Sequence, residues 1–218
     1  MVRARTPDPH GNAPDTCPVA LVIVDAINDL EFPGGAGMLS RAVRMAKNIA
    51  ALKRRTTALG IPTIYVNDNF GRWRSDFRRT VAHCIDEDVR GQPVAKLLMP
   101  DENDYFVLKP KHSGFYNTSL ELLLDYLHTE TLILTGMATD VCVLFTAADA
   151  YMRDLRVIVP RDCVTALTPA AHRSALSQMR TTLKGDIVAS SALDSRRLKR
   201  LMRPGTRRAR LGASSGHE

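Results

Sequence analysis

The chain has 218 residues, of which 44% are apolar and 6% aromatic, a composition typical of a globular protein and not of a collagenous, coiled-coil or disordered one. The longest apolar run, residues 19–24, is far too short to span a membrane, and residues 1–18 lack the apolar core of a secretory signal, so we expect a cytoplasmic protein. The net charge of +7 comes from residues 195–218, which hold eight basic residues and one acidic residue. We therefore predict a solvated basic tail and not a nucleic-acid-binding protein.

Six short apolar runs alternate with helical patterns along the chain. The predicted strands cover residues 19–25, 62–68, 104–109, 131–136, 156–160 and 186–189. The first run is continuously apolar, as expected for a strand that is buried on both faces. Six strands separated by helices predict an α/β fold with a doubly wound, six-stranded parallel sheet in a single domain.

Helix signals fill the intervals between these strands. Helices are predicted over residues 40–59, 81–89, 140–155 and 169–184. A further helix is predicted to begin at a capping box at 118–121, and a last one after residue 190 or 191. Ser40 is the expected N-cap of the first helix and Gly60 its stop signal. The polar residues 69–103 predict a long functional loop around one short helix. We expect a flexible segment over 1–17, a single globular domain over 18–194 and a basic helix or tail over 195–218.

The four cysteines, at positions 17, 84, 142 and 163, form no CxxC pair and no Cys/His metal spacing. A chain of this length does not need disulfides to stabilise its core. We therefore expect four free thiols.

Chemistry-bearing side chains follow several predicted strands, at the sheet edge where doubly wound folds place active sites. Asp25 follows six apolar residues, so burial should raise its pKa and suit it to proton transfer. Cys142 falls in the first turn of a predicted helix, where the helix dipole and a nearby Lys109 would favour the thiolate. Each has a structural explanation as well, since Cys142 could be a core residue, Asp25 a loop cap and Lys109 a surface residue. Their joint placement favours a nucleophile with its proton acceptor.

Three segments carry a resemblance to a known family. These are LVIVDAINDL at 21–30, VLKPKHSGFYNTSL at 107–120 and TGMATDVCV at 135–143. In this order they resemble the three blocks of the isochorismatase-like cysteine hydrolases, over roughly residues 18–190. The resemblance implies a three-layer α/β/α fold and hydrolysis of C–N bonds in small amides or ureido compounds through a thioester.

The resemblance also assigns roles to residues. It implies a catalytic triad in which Asp25 is the general base, Lys109 the positive partner of the thiolate and Cys142 the nucleophile. It further implies a cis peptide between Met137 and Ala138, so that the N–H groups of Ala138 and Cys142 hold the oxyanion.

Departures from the family pattern narrow the expected chemistry. Nicotinamidases carry Asp-x-His after the second strand, whereas this chain has Asp68, Asn69 and Phe70, so we expect no metal and no cofactor. Isochorismatases proper cleave a vinyl ether without a nucleophilic thiol, which Cys142 argues against. The Gln common after the first Asp is replaced here by Ile27.

The substrate pocket and the partners are further expectations. The expected pocket residues are Asn28, Asn69, Phe70, Trp73 and Phe115. Arg72 or Arg74 could meet an anionic group, and Trp73 could instead pack at a subunit contact. We expect a small amide or ureido substrate and a homo-oligomer.

Three other functions stay open at this point. The first is an isochorismatase-type hydrolase. The second is a thiol redox sensor, in which Cys163 would resolve an oxidised Cys142. The third is a non-catalytic binding protein on the same fold.

Overall fold

A parallel sheet runs through the centre of the protein in the computed structural model, which describes residues 16–69 and 76–203. Its strands are β1 (Val19–Val24), β2 (Thr63–Asp68), β3 (Tyr105–Lys109), β4 (Thr131–Met137), β5 (Arg156–Pro160), β6 (Val164–Thr165) and β7 (Asp186–Val188). The strand order is β3-β2-β1-β4-β5-β7, and the short β6 pairs with β4. All pairings are parallel.

Helices cover both faces of this sheet. They are α1 (Gly35–Thr57), α2 (Phe77–Asp86), α3 (Gln92–Leu97), α4 (Leu120–Tyr126), α5 (Leu144–Met152), α6 (Pro169–Thr181) and α7 (Ser195–Leu201). A π-helix over Thr139–Val143 precedes α5, and a 3-10 turn over Ser190–Ala192 precedes α7. One apolar core lies between the sheet and α1, and the other lies between the sheet and α4, α5 and α6. The predicted three-layer α/β/α class and the six predicted strands are confirmed.

The central strands β1 and β4 are buried along their whole length. Their register runs from Val19 beside Thr131 to Val24 beside Gly136. Gly136 has φ 107°, and a Cβ there would lie 2.0 Å from the carbonyl oxygen of Val24. Only glycine therefore allows β4 to approach β1 this closely, just where the chain leaves β1 at Asp25.

The first helix starts earlier than the sequence predicts. It begins at Gly35, and Gly34, in a left-handed conformation with φ 89°, occupies the N-cap position that was predicted for Ser40. Two glycines at 35 and 37 disfavour a helix by propensity, but α1 is held by its apolar side chains against the sheet.

The predicted capping box at 118–121 is wrong. Ser119 is the N-cap of α4 and makes no side-chain cap. The Thr118 hydroxyl instead accepts a hydrogen bond from the N–H of Leu120, two residues on. Thr118 also donates to the carbonyl of Gly114, which ties it to the preceding loop.

The C-terminal helix α7 is part of the folded body. Leu198 is fully buried, and Leu201 and Met202 pack against the same core. Asp194 caps the helix by accepting from the N–H of Arg197, whose guanidinium pairs with Asp186 at 2.5 Å. The solvated tail expected from residue 195 onward is therefore not seen over this helix, which packs on the core through a buried leucine. The remaining tail, residues 204–218, and residues 1–15 of the predicted N-terminal segment lie outside the described residues.

Within the described part of the chain, no helix is both long enough and apolar enough to cross a membrane.

Candidate active site

Three strands bring the predicted triad to one edge of the sheet. Asp25 directly follows β1, Lys109 is the last residue of β3, and Cys142 lies in the π-helix that follows β4. Because the carboxyl ends of parallel strands meet at the same edge, residues far apart in the chain become neighbours there.

The ammonium group of Lys109 joins the other two members. Its Nζ lies 2.8 Å from Oδ2 of Asp25 and 3.5 Å from Sγ of Cys142. The side chain of Cys142 also lies close enough to the Asp25 carboxylate to lower the pKa of that group. Lys109 is fully buried, Asp25 is 6% exposed and Cys142 is half-buried. The structure thus brings together the three residues that the sequence singled out.

A second carboxylate, that of Asp68, completes the surroundings of the lysine. Its Oδ2 lies 3.3 Å from the Lys109 Nζ. Its backbone N–H donates to Oδ1 of Asp25 at 2.7 Å and so orients that carboxylate. Sequence reasoning noted Asp68 only as the first residue of the incomplete Asp-x-His pattern after the second strand, although its place at the strand end was the signal that could have put it in the site.

The charges of the site determine which groups hold protons. Burial raises the pKa of Asp25, and the neighbouring Lys109 opposes the rise. Burial lowers the pKa of Lys109, but the negative charges of Asp25 and then of Asp68 raise it above its ordinary value. The lysine therefore stays a cation at neutral pH.

The pKa of the Cys142 thiol differs from the sequence-based expectation. Burial and the negative charge of Asp25 raise the pKa of Cys142 to about 12, although Lys109 acts in the opposite direction. Cys142 is therefore a protonated thiol at neutral pH, and the expectation that its helix position and Lys109 favour the thiolate is not met. Helix-dipole and lysine effects are outweighed by desolvation and by Asp25.

The segment before the nucleophile turns sharply into the helix. The peptide bond between Met137 and Ala138 is cis. The Ala138 carbonyl then accepts from the N–H groups of Val141 and Val143, each at 3.1 Å. This places the backbone of Ala138 and the Cys142 helix at the same end of β4, the arrangement that the predicted oxyanion site requires.

The expected pocket residues have different surroundings. The Asn28 side chain accepts from the N–H of Leu30 and closes a local turn. Asn69 is buried, and its N–H donates to the Lys109 carbonyl. Phe115 is only 4% exposed in the core, with the Arg153 guanidinium 4.7 Å from its ring centroid, so its ring is a packing residue in this structure and not a pocket wall. Phe70 and Trp73, like Arg72 and Arg74, lie outside the described residues.

The other thiols lie in the core. Cys17, Cys84 and Cys163 are each 3% exposed or less, and all four cysteines are free, as expected. Across residues 16–69 and 76–203, no group of three or more His, Cys, Asp or Glu side chains could hold a metal ion.

Comparisons with known proteins identify relatives over most of the chain. The model of the isochorismatase domain family matches residues 19–192. An uncharacterised isochorismatase family protein of Bacillus subtilis is 36% identical over 174 residues, which cover 80% of this chain and 95% of that protein. A ureidoacrylate amidohydrolase of Methylobacterium radiotolerans is 30% identical over 207 residues, covering 79% of this chain and 77% of that one. The crystal structure of an N-carbamoylsarcosine amidase from Thermoplasma acidophilum superposes with a TM-score of 0.60 at 27% identity, covering 79% of this chain and 96% of that one.

Proposed function

Because the chain belongs to the isochorismatase family, we propose that it is a cysteine hydrolase that cleaves a C–N bond of a small amide or ureido compound through a thioester on Cys142. The observation that carries this proposal is the contact of Lys109 Nζ with both the Asp25 carboxylate, at 2.8 Å, and the Cys142 sulfur, at 3.5 Å. A nucleophile, a base and a fixed cation are the parts that acyl transfer requires. The similarity to a ureidoacrylate amidohydrolase and to an N-carbamoylsarcosine amidase supports the choice of bond.

In the first half of the reaction, the Cys142 thiol attacks the substrate carbonyl carbon while Asp25 takes its proton. Since the thiol pKa is raised, the thiol is protonated at rest and depends on Asp25 to accept its proton during the attack. Negative charge moves from the carboxylate through sulfur to the carbonyl oxygen. Lys109 stays beside the carboxylate and the sulfur throughout. The N–H groups of Ala138 and Cys142 donate hydrogen bonds to the oxyanion.

In the second half, the protonated Asp25 gives its proton to the leaving nitrogen. The C–N bond breaks, the amine or carbamoyl-derived nitrogen departs, and a thioester on Cys142 remains. Asp25 then removes a proton from water, the resulting hydroxide adds to the thioester carbonyl, and the C–S bond breaks. The acid is released, and Asp25 returns the proton to sulfur.

The protonation state of the site also bears on the redox-sensor alternative. A peroxide sensor depends on an accessible thiol of low pKa with a resolving thiol nearby. Here the pKa of Cys142 is raised to about 12, and Cys163 is fully buried. These observations favour the hydrolase.

The test is a substrate panel of primary amides, N-carbamoyl amino acids, ureido acids and one vinyl ether, with ammonia and carboxylic acid as readouts. We expect turnover of at least one amide or ureide and an acyl adduct on Cys142 in quenched samples examined by mass spectrometry. Cys142→Ala should lose about 10³-fold or more of the turnover. Cys84→Ala, which removes a buried thiol outside the site, is the matched control. Turnover of the vinyl ether alone, or full activity of Cys142→Ala, would overturn the proposal.

A further inference from the structure

A buried hydroxyl connects the nucleophile to the chain segment that follows the lysine. Thr146 lies one helical turn after Cys142 and is fully buried. Its Oγ1 donates to the Cys142 carbonyl at 2.7 Å and accepts from the Gly114 N–H at 2.9 Å. A hydroxyl has one hydrogen to donate, so these two contacts fix its orientation.

The same loop is fastened to α5 at a second point. Ser113 is 6% exposed, and its hydroxyl donates to the carboxylate of Asp149 while accepting from the Phe115 N–H. Asp149 also contacts Arg153, whose guanidinium covers the Phe115 ring. The loop after Lys109 is therefore held against the helix after Cys142 by Ser113, four residues after Lys109, and by Thr146, four residues after Cys142.

The close approach of this loop depends on a glycine. A Cβ at Gly114 would lie 3.0 Å from Val66 Cγ1, 3.1 Å from Leu120 Cδ2 and 3.4 Å from Thr146 Cγ2. The first two distances are tighter than ordinary contacts, so a side chain at position 114 would have to displace Val66 or Leu120 in the segment that carries this N–H.

We infer that Thr146 is a positioning residue, whose hydroxyl fixes the main chain of Cys142 relative to Lys109. The inference rests on the proposed function of Cys142 as the nucleophile. Lys109 and Cys142 lie on separate segments, so their 3.5 Å separation depends on how those segments are held together. A threonine hydroxyl bound to the carbonyl four residues earlier also adjusts helix geometry, and here that carbonyl belongs to a residue in a π-turn.

Thr146→Val is the informative substitution, because it removes the hydroxyl at nearly constant volume. Thr56→Val is its matched control. Thr56 is also fully buried in a helix, and its hydroxyl bonds to the carbonyls of Lys53 at 2.9 Å and Leu52 at 3.3 Å, near the end of α1 remote from the site. Thr146→Ser keeps the hydroxyl and serves as the rescue.

The first readout is the rate of iodoacetamide labelling of Cys142 as a function of pH, which needs no substrate. We expect Cys142 to be labelled more slowly at each pH in Thr146→Val than in the unaltered chain, because Lys109 is then less well placed to stabilise the thiolate. With a substrate from the panel, kcat should fall about 10- to 100-fold with KM changed less than about twofold. Thr146→Ser should restore both, and Thr56→Val should lower thermal stability alone.

Equal labelling profiles and equal kcat in Thr146→Val and Thr56→Val would overturn the inference and leave Thr146 as a packing residue. If no substrate is turned over by the unaltered chain, the proposed function fails. The labelling profile still tests whether Thr146 positions Cys142 relative to Lys109. Should Thr146→Val not fold, Ser113→Ala loosens the same loop at its other attachment. It should shift the labelling profile in the same direction, and an unshifted profile would count against the inference.

Discussion

At the scale of single residues, Asp25 has opposite effects on the reactivity of Cys142. Its carboxylate is the proposed base, yet its negative charge raises the pKa of the thiol. Asp25→Asn should therefore lower turnover by about 10²-fold or more and at the same time make Cys142 react faster with iodoacetamide at pH 8. Labelling rates followed by mass spectrometry measure this effect. Asp162→Asn, which alters a carboxylate bound to Ser190, should leave the labelling unchanged.

Slower labelling of Cys142 in Asp25→Asn would contradict that expectation. It would show that the carboxylate favours thiolate formation by accepting the proton, and that this effect exceeds the repulsion between its charge and the thiolate.

The raised pKa of Asp25 predicts the acid limb of the pH profile. The carboxylate must be ionised to accept the thiol proton, and its pKa in the folded protein lies above the ordinary 3.8. Activity should therefore fall as the pH is lowered through this raised pKa, as seen in kcat/KM measured against pH. Since the pKa of Cys142 is raised to about 12, ionisation of the thiol adds no alkaline limb at moderate pH. A rise of activity with a midpoint near the ordinary cysteine pKa would show that the free thiolate is the reacting species.

The sequence predicted which residues come together at the sheet edge but not their electrostatics. Asp25, Lys109 and Cys142 could be selected because each follows an apolar strand. Asp25 has φ 47°, a conformation that aspartate tolerates better than most residues, and its carboxylate is held by the N–H of Asp68 from another strand. Such contacts, like the burial that raises the thiol pKa, exist only after distant segments meet. Thr146 could not be identified from the sequence, since one threonine in an apolar helix has no distinctive spacing.

At the scale of the secondary-structure elements, α7 contributes to stability through a single buried side chain. Leu198→Ala should lower the free energy of unfolding by about 2–5 kcal/mol, because it leaves a cavity in the core shared with α1. Urea denaturation measures the loss. Lys199→Ala, on the exposed side of the same helix, should change it by less than about 0.5 kcal/mol. Equal effects of the two substitutions would mean that α7 is not docked in solution.

Elements of the interior were easier to predict than short surface elements. The strands were found because continuous apolar runs have few other interpretations. The two-residue β6 and the six-residue α3 were missed, since each is held by tertiary contacts. The start of α3 illustrates this: the N–H of Gly91 donates to the Asp29 carbonyl, and a Cβ at Gly91 would lie 1.8 Å from the carbonyl oxygen of Asn28.

At the scale of the whole molecule, the hydrolase should need no metal ion. The Asp-x-His pattern of nicotinamidases is Asp68-Asn69-Phe70 here, and the Asp68 carboxylate contacts the Lys109 ammonium. Prolonged chelation followed by gel filtration should leave kcat unchanged. A rate that returns only on adding zinc or iron would instead assign Asp68 to a metal.

The order of the strands could not be read from the sequence. The apolar pattern marks each strand but carries no information on its neighbours, and the observed order places the first strand between the second and the fourth. Doubly wound folds allow several such orders with the same pattern of helices and strands. Similarly, the charge of the C-terminal segment predicted a solvated tail and did not show that α7 packs on the core.

The pairing of β1 with β4 has a consequence for how the protein is made. The centre of the sheet cannot form until Thr131, the partner of Val19, has been synthesised, and Cys142 follows that partner strand in the chain. Long-range parallel pairing of this kind raises contact order and slows folding. A nascent or proteolysed chain that ends before β4 contains Asp25 and Lys109 but lacks Cys142 and the pairing of β1 with β4. Recovery of hydrolysis after denaturation should accordingly report closure of the whole sheet, and no N-terminal fragment should act on substrate before it.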